Sequence, residues 1–128
     1  MMYAIGSIDQ SFPEDIPMIV RKEPQAMVLE VETTTLTAAN AKDFKANIEK
    51  YLDAETNIVL DLNRITFIDS SGLGVFLFCL KRLNQKGGDL KLCNITKPVR
   101  VLFELVRLHQ IIDVCASTEE ALAAFATS

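Results

Sequence analysis

The chain has no excess of basic side chains. Its 13 lysines and arginines are outnumbered by 17 aspartates and glutamates, for a formal net charge of −4. Neutralising a nucleic-acid backbone needs the opposite balance, so no nucleic-acid partner is expected. Long apolar runs are also missing. The longest, Gly72 to Leu80, falls well short of the roughly 20 residues that cross a bilayer, so no membrane insertion is expected. The opening residues lack the basic start and long apolar stretch of a secretory signal, and neither end carries a lipidation motif. The expected location is therefore cytoplasmic. Cys79, Cys93 and Cys115 lie far apart, each in an apolar stretch, and form no C-x-x-C pair. They read as plain buried thiols, not as zinc ligands or a redox couple. Asn94-Ile95-Thr96 matches a glycosylation acceptor, which carries no weight without an export signal.

What remains is an ordinary globular composition. Of 128 residues, 49% are hydrophobic and 23% charged, enough for one domain whose core needs no disulfide or metal. Residues 1–17 show little periodicity and read as an N-terminal lead-in, followed by one domain over residues 18–126. Met18 to Lys22 and Met27 to Glu32 are strand-like runs around Glu23-Pro24-Gln25, which predicts a hairpin. A threonine-rich stretch, Thr33 to Thr37, precedes a helical pattern in which Ala41, Phe44, Ile48 and Leu52 form one apolar face. Ile58 to Leu62 suits a buried central strand. Ile65 to Ile68 leads into Asp69-Ser70-Ser71-Gly72-Leu73-Gly74, where the period becomes helical. Leu73, Phe76, Leu77, Leu80 and Leu83 supply the expected inner stripe, and Gly87-Gly88 the stop. Leu90 to Ile95 reads as a strand. Thr96-Lys97-Pro98 starts a helix with Val99, Leu102, Phe103 and Val106 inside, Thr96 offering a capping hydroxyl. Ile111 to Val114 is a last strand, and Ser117-Thr118-Glu119-Glu120 opens a final helix through Phe125 as a capping box. The order β-β-α-β-α-β-α-β-α predicts an α/β fold, with a mixed, mostly parallel sheet of about five strands, about four helices and an opening β-hairpin.

The strand-to-helix junction at Asp69 is the informative segment. A dinucleotide fingerprint fails there because its third glycine position holds Leu77, and no stretch supplies a P-loop. A nucleophile elbow fails too, since Ile68 and Asp69 occupy the position of its first glycine for Ser70 and Ser71. The single histidine, His109, sits between Leu108 and Gln110 and reads as a helix-end residue, which leaves either serine without a matched base. No enzyme activity and no cofactor are expected. What is left is a hydroxyl presented at a helix N-terminus. Asp69 or Ser70 serves as the cap, and the small residues that follow keep the surface low enough for a partner to approach the backbone.

Val59-Leu60-Asp61-Leu62 and Ile65 to Gly74, with Gly87-Gly88-Asp89-Leu90, Pro98 to Leu102 and Ser117 to Leu122, resemble the signature of STAS domains, and among these the bacterial anti-sigma factor antagonists. The resemblance implies a single STAS-like domain that acts by partner switching. The serine directly after the aspartate, here Ser70, is the residue phosphorylated by an anti-sigma factor that is also a kinase. ATP and magnesium belong to that kinase, and a PP2C-type phosphatase reverses the mark. The unphosphorylated protein binds the kinase and releases the sigma factor. Asp69, Ser71, Gly72, Gly74, Thr35 and Thr37 are the implied partner-contact residues. One departure stands out: many members carry a G-E-L-D pattern before the first helix, and the aligned Glu32-Thr33-Thr34-Thr35 puts Thr35 at the aspartate position. A non-switching STAS scaffold in a stress-signalling or lipid-transport complex shares the same signature.

Overall fold

A computed structural model describes residues 16–127. The expected lead-in lies outside the described residues apart from Ile16 and Pro17, and Ile16 is buried with the core. Strand β1 (Met18–Lys22) turns through Glu23 to Ala26 into β2 (Met27–Val31), and the two pair antiparallel as the predicted hairpin. Helix α1 (Ala41–Ala54) buries Ala41, Phe44, Ile48 and Leu52, the face its spacing predicts. Strand β4 (Asn57–Asp61) forms the middle of the sheet, and Ile58, Val59 and Leu60 are wholly buried there. Helix α2 (Ser70–Asn84), strand β6 (Asp89–Cys93), helix α3 (Lys97–Val106), strand β7 (Asp113–Cys115) and helix α4 (Thr118–Thr127) complete the main layers. One 3₁₀ turn, Leu108–Gln110, joins α3 to β7.

The five-stranded sheet runs β1-β2-β4-β6-β7, parallel except for the hairpin. Because side chains alternate along a strand, β4 sends Ile58 and Leu60 to one face and Val59 to the other. The first face, with Leu29, Leu90 and Leu92, packs on Phe44, Phe76 and Phe103 from α1, α2 and α3, and the Phe76 and Phe103 rings meet edge to face at 6.4 Å. The second face, with Val28, Cys93 and Cys115, lies under Ala121, Leu122 and Phe125 of α4. All three cysteines are buried and free. Lys91 points into this second layer, where Asp113 at 2.6 Å and Asp89 at 3.4 Å hold its ammonium group.

The structure corrects several expectations. The threonine-rich stretch contains a strand, β3 (Thr35–Leu36), which pairs parallel with β5 (Phe67–Ile68) in a separate two-stranded ladder. The element order is thus β-β-β-α-β-β-α-β-α-β-α among the described residues. The inner stripe of α2 is rotated from the leucine spacing: Val75, Phe76, Cys79 and Leu83 are buried, while Leu77 is exposed. On α3, Val99 and Phe103 are buried, but Val106 is exposed because the helix ends there. Ile111 is likewise outside, and the last strand begins at Asp113. The Thr96 hydroxyl does not cap α3; it donates to the Ile65 carbonyl at 2.7 Å and ties the helix start to the segment before β5. Gly87 takes the left-handed conformation expected after α2, with φ +79°.

Candidate functional site

The β3–β5 ladder places the site. Thr35 pairs with Phe67 and Leu36 with Ile68, and the ladder continues at each end: Thr66 N–H donates to the Thr34 carbonyl at 2.8 Å, and Asp69 N–H donates to the Leu36 carbonyl at 3.1 Å. The chain then enters α2. Asp69 is its N-cap, with extended backbone, which resolves the choice between Asp69 and Ser70. One carboxylate oxygen accepts from Ser71 N–H at 2.8 Å and from Gly72 N–H at 3.2 Å. The other accepts from Ala38 N–H at 3.0 Å. Asp69 therefore fastens two segments, the start of α2 and the loop between β3 and α1. Ala38, the largest influence, acts with Gly72 and Ser71 to outweigh the opposing effect of burial and hold the carboxyl below its ordinary pKa.

The loop is built from its own side chains. Thr37 N–H donates to Asn40 Oδ1 at 2.9 Å, Asn40 Nδ2 donates to the Thr35 carbonyl at 2.9 Å, and Ala39 N–H donates to Thr37 Oγ1 at 3.2 Å. Thr37 thus acts here as a loop builder with an occupied hydroxyl. Thr35 is exposed on the ladder beside Phe67.

Ser70 is the first residue of α2 and is exposed. Its Oγ has no hydrogen-bond partner among the described residues, whereas its backbone is held between the Asp69 cap and the first turn. Ser71 is half-buried. The two glycines differ. Gly72 is buried, and a Cβ there would come within 2.5 Å of the Leu36 carbonyl oxygen and 2.8 Å of Ile68 Cγ2, so glycine is what lets α2 lie against the small ladder. Gly74 faces solvent, and a Cβ there would meet nothing within 4 Å. The structure thus brings Asp69, Ser70, Ser71 and Gly72 together with the Thr35–Asn40 loop, and sets Gly74 on the open side of the helix.

Sequence reasoning missed two participants, Ala38 and Asn40. Ala38 contributes only a backbone N–H, which leaves no mark in a sequence. Asn40 reads as an ordinary polar residue before a helix. Phe67 is 57% exposed on the outward side of β5, and Leu77, assigned to the inner stripe of α2, is 40% exposed. His109 lines a shallow cleft with Arg100, Phe103 and Glu104, a set that shares no residue with the serine site. No helix among the described residues is long and apolar enough to cross a membrane.

Known proteins resemble this chain in sequence and in fold. The anti-sigma factor antagonist BtrV of Bordetella bronchiseptica is 39% identical over 94 residues, which cover 73% of this chain and 81% of BtrV. The anti-sigma F factor antagonist of Paenibacillus polymyxa is 41% identical over 66 residues, covering 52% of this chain and about half, 56%, of that protein. The fold matches the crystal structure of an anti-sigma factor antagonist from Thermotoga maritima with a TM-score of 0.76 at 24% identity, over 87% of this chain and 94% of that one. It also matches the Bacillus cell fate determinant SpoIIAA in its phosphorylated form, with a TM-score of 0.62 at 23% identity over 84% and 98%. The STAS domain model itself matches residues 17–121, from the edge strand into the last helix. By the reach of that match, the chain belongs to the STAS domain family.

Proposed function

We propose that this protein is an anti-sigma factor antagonist that switches partners through the phosphorylation state of Ser70. On this reading residues 18–126 form the acting domain and the protein works in the cytoplasm. In the unphosphorylated state the protein binds an anti-sigma factor serine kinase and frees the sigma factor. The kinase brings ATP and magnesium, transfers a phosphoryl group to Ser70 Oγ and lets go, and a PP2C-type phosphatase restores the hydroxyl. Asp69, Ser71, Gly72, Gly74, Thr35 and Thr37 frame the contact. The observation that carries this reading is the free, exposed hydroxyl of Ser70 on a backbone pinned by Asp69. The names of the sequence relatives, and the existence of a phosphorylated structure with this fold, support it.

The physics of the switch follows from the same geometry. A phosphoserine adds about −1.5 to −2 charge. A helix N-terminus favours an anion by roughly 0.3–1 kcal/mol, but here the Ser71 and Gly72 amides already serve Asp69. The phosphate therefore gains little from the fold and stays outward, and the fold stays as it was. Inside an interface, a phosphate stripped of water without a cationic partner costs several kcal/mol, and each ~1.4 kcal/mol is about tenfold in affinity. The complex is lost while the antagonist remains folded.

Immobilised Ser70→Ala protein, incubated with lysate of the source cells, captures the kinase for identification and purification. Wild-type protein incubated with that kinase, ATP and magnesium then acquires one phosphoryl group, which peptide mapping places on Ser70. Ser70→Asp folds normally and binds the kinase at least about tenfold more weakly by calorimetry. A phosphoryl group on Ser71 alone, or full affinity for a phosphorylated sample, overturns the proposal.

A further inference from the structure

We propose that the outer side of α3 and the turn after it seat on an anionic lipid bilayer at the level of its headgroups. The residues concerned take no part in the serine site, and the proposal stands or falls independently of Ser70.

Exposed apolar side chains are concentrated on this part of the surface. Of the eight large hydrophobic residues exposed among the described residues, four lie between positions 101 and 111: Val101, Leu105, Val106 and Ile111. Scattered single ones would need no explanation, but a cluster does. Leu105 is 80% exposed. Helix α3 turns Val99 and Phe103 into the core, so Val101 and Leu105, one turn apart, stand on its outward side. The helix ends at Val106. Arg107 then takes the left-handed conformation, φ +59°, and the 3₁₀ turn tucks Leu108 inside and brings Ile111 out. Gln110 N–H donates to the Arg107 carbonyl at 3.1 Å and Ile111 N–H to the Leu108 carbonyl at 2.9 Å, which holds the turn closed.

The charges around this knuckle are mostly of one sign. Lys97, Arg100 and Arg107 are exposed, and Glu104 is the only acid from Thr96 to Ile111, a net of +2 in a chain whose total is −4. Elsewhere Arg21, Lys22, Arg64, Arg82 and Lys91 each form an ion pair with a carboxylate. Lys97, Arg100 and Arg107 meet no carboxylate among the described residues. Glu104 lines the cleft beside Arg100 and His109. Unpaired cations around protruding aliphatic side chains match a surface that is anionic at its rim and apolar beneath, which is a bilayer with acidic headgroups. The long basic side chains lay their stems on the apolar layer and keep their charges among the headgroups.

Shape and charge select the bilayer over other occupants. A protein groove that reads a helix takes anchors at i, i+4 and i+7 along one continuous face. Here α3 supplies only Val101 and Leu105 before the chain turns, and the remaining apolar residues come from the helix end and the 3₁₀ turn. A bilayer accepts such a convex shape without a matching groove. A second copy presenting the same patch would bring like charge onto like charge. The contact is shallow, since no helix among the described residues is long and apolar enough to cross a membrane.

The test measures binding of the full chain to sedimented vesicles, of phosphatidylcholine alone or with an equal share of phosphatidylglycerol, together with the melting temperature of each variant. At low salt the wild type binds the mixed vesicles about tenfold or more tighter than the neutral ones, and added salt removes the difference. Leu105→Ser melts as the wild type does, because the side chain already lies in water, and binds about tenfold more weakly. Arg107→Gly keeps the fold, since glycine is at ease in the left-handed conformation, and binds about fivefold more weakly. Glu104→Gln binds more tightly. Equal binding to the two kinds of vesicle, or to neither, overturns the proposal. So does binding that Leu105→Ser and Arg107→Gly both leave within about twofold of the wild type, because another face is then responsible. Self-association that Leu105→Ser abolishes, without vesicle binding, assigns the face to a second copy and overturns it. Without vesicle binding, capture from a lysate of an acidic protein that Leu105→Ser no longer holds assigns the face to that protein and overturns it as well.

Discussion

At the scale of single residues, the Asp69 carboxylate does two jobs with two oxygens, and the jobs can be separated. Asn at this position keeps one oxygen for the Ser71 and Gly72 amides but turns an NH₂ donor toward the Ala38 N–H donor. Asp69→Asn is therefore expected to preserve the start of α2 and release the loop. Hydrogen exchange should speed up at Ala38 while Ser71 and Gly72 stay protected; equal loss at all three would show that the two bonds are one unit. The pH dependence carries a sign. The folded pKa of Asp69 lies below the ordinary 3.8, because Ala38, Gly72 and Ser71 favour the carboxylate. Its stabilising contribution is present above pH 3.8 and disappears as pH falls through the lowered value. The Ala38 amide resonance should thus titrate with a midpoint below that of a model aspartate.

At the scale of elements, the small ladder controls how close α2 comes to the core. Gly72→Ala drives a methyl group into the Leu36 carbonyl and Ile68, and is expected to destabilise the fold by about 1–3 kcal/mol in urea or thermal unfolding. A neutral effect would mean that the ladder moves freely. Most elements were legible because their physics leaves a period. Phe44, Ile48 and Leu52 recur at helical steps, Glu23-Pro24-Gln25 marks the hairpin, and Ser117 does accept from Glu120 N–H at 3.1 Å as a capping serine. The β3 and β5 strands were not legible, since two residues cannot show an alternation. The buried face of α2 was misread because Leu73 to Leu80 is apolar at nearly every position, so leucine spacing alone does not choose a side. Packing against β6 and the ladder makes that choice and leaves Leu77 outside.

At the scale of the whole molecule, three helices cover one face of the sheet and α4 covers the other. The cysteines report on both layers. Burial pushes the Cys79 thiol up to about 12 and the Cys93 thiol up to about 11, and raises Cys115 as well. In native protein near neutral pH these thiols should react with a thiol reagent far more slowly than in denaturant, where all three become available. Rapid native labelling of Cys79 would show that the α2 layer opens locally. The serine itself was legible, since its sequence neighbours mark it. Its setting was not, because the setting is assembled from the Ala38 backbone amide and the Asn40 side chain, whose roles depend on where the chain folds them.

The bond between Ala38 and Asp69 spans 31 positions of chain. An isolated peptide carrying Asp69 to Gly74 holds the right letters but none of that long-range scaffolding. An enzyme that requires the assembled frame would pass over nascent or damaged copies, so a mark on Ser70 would also certify that the molecule bearing it had finished folding.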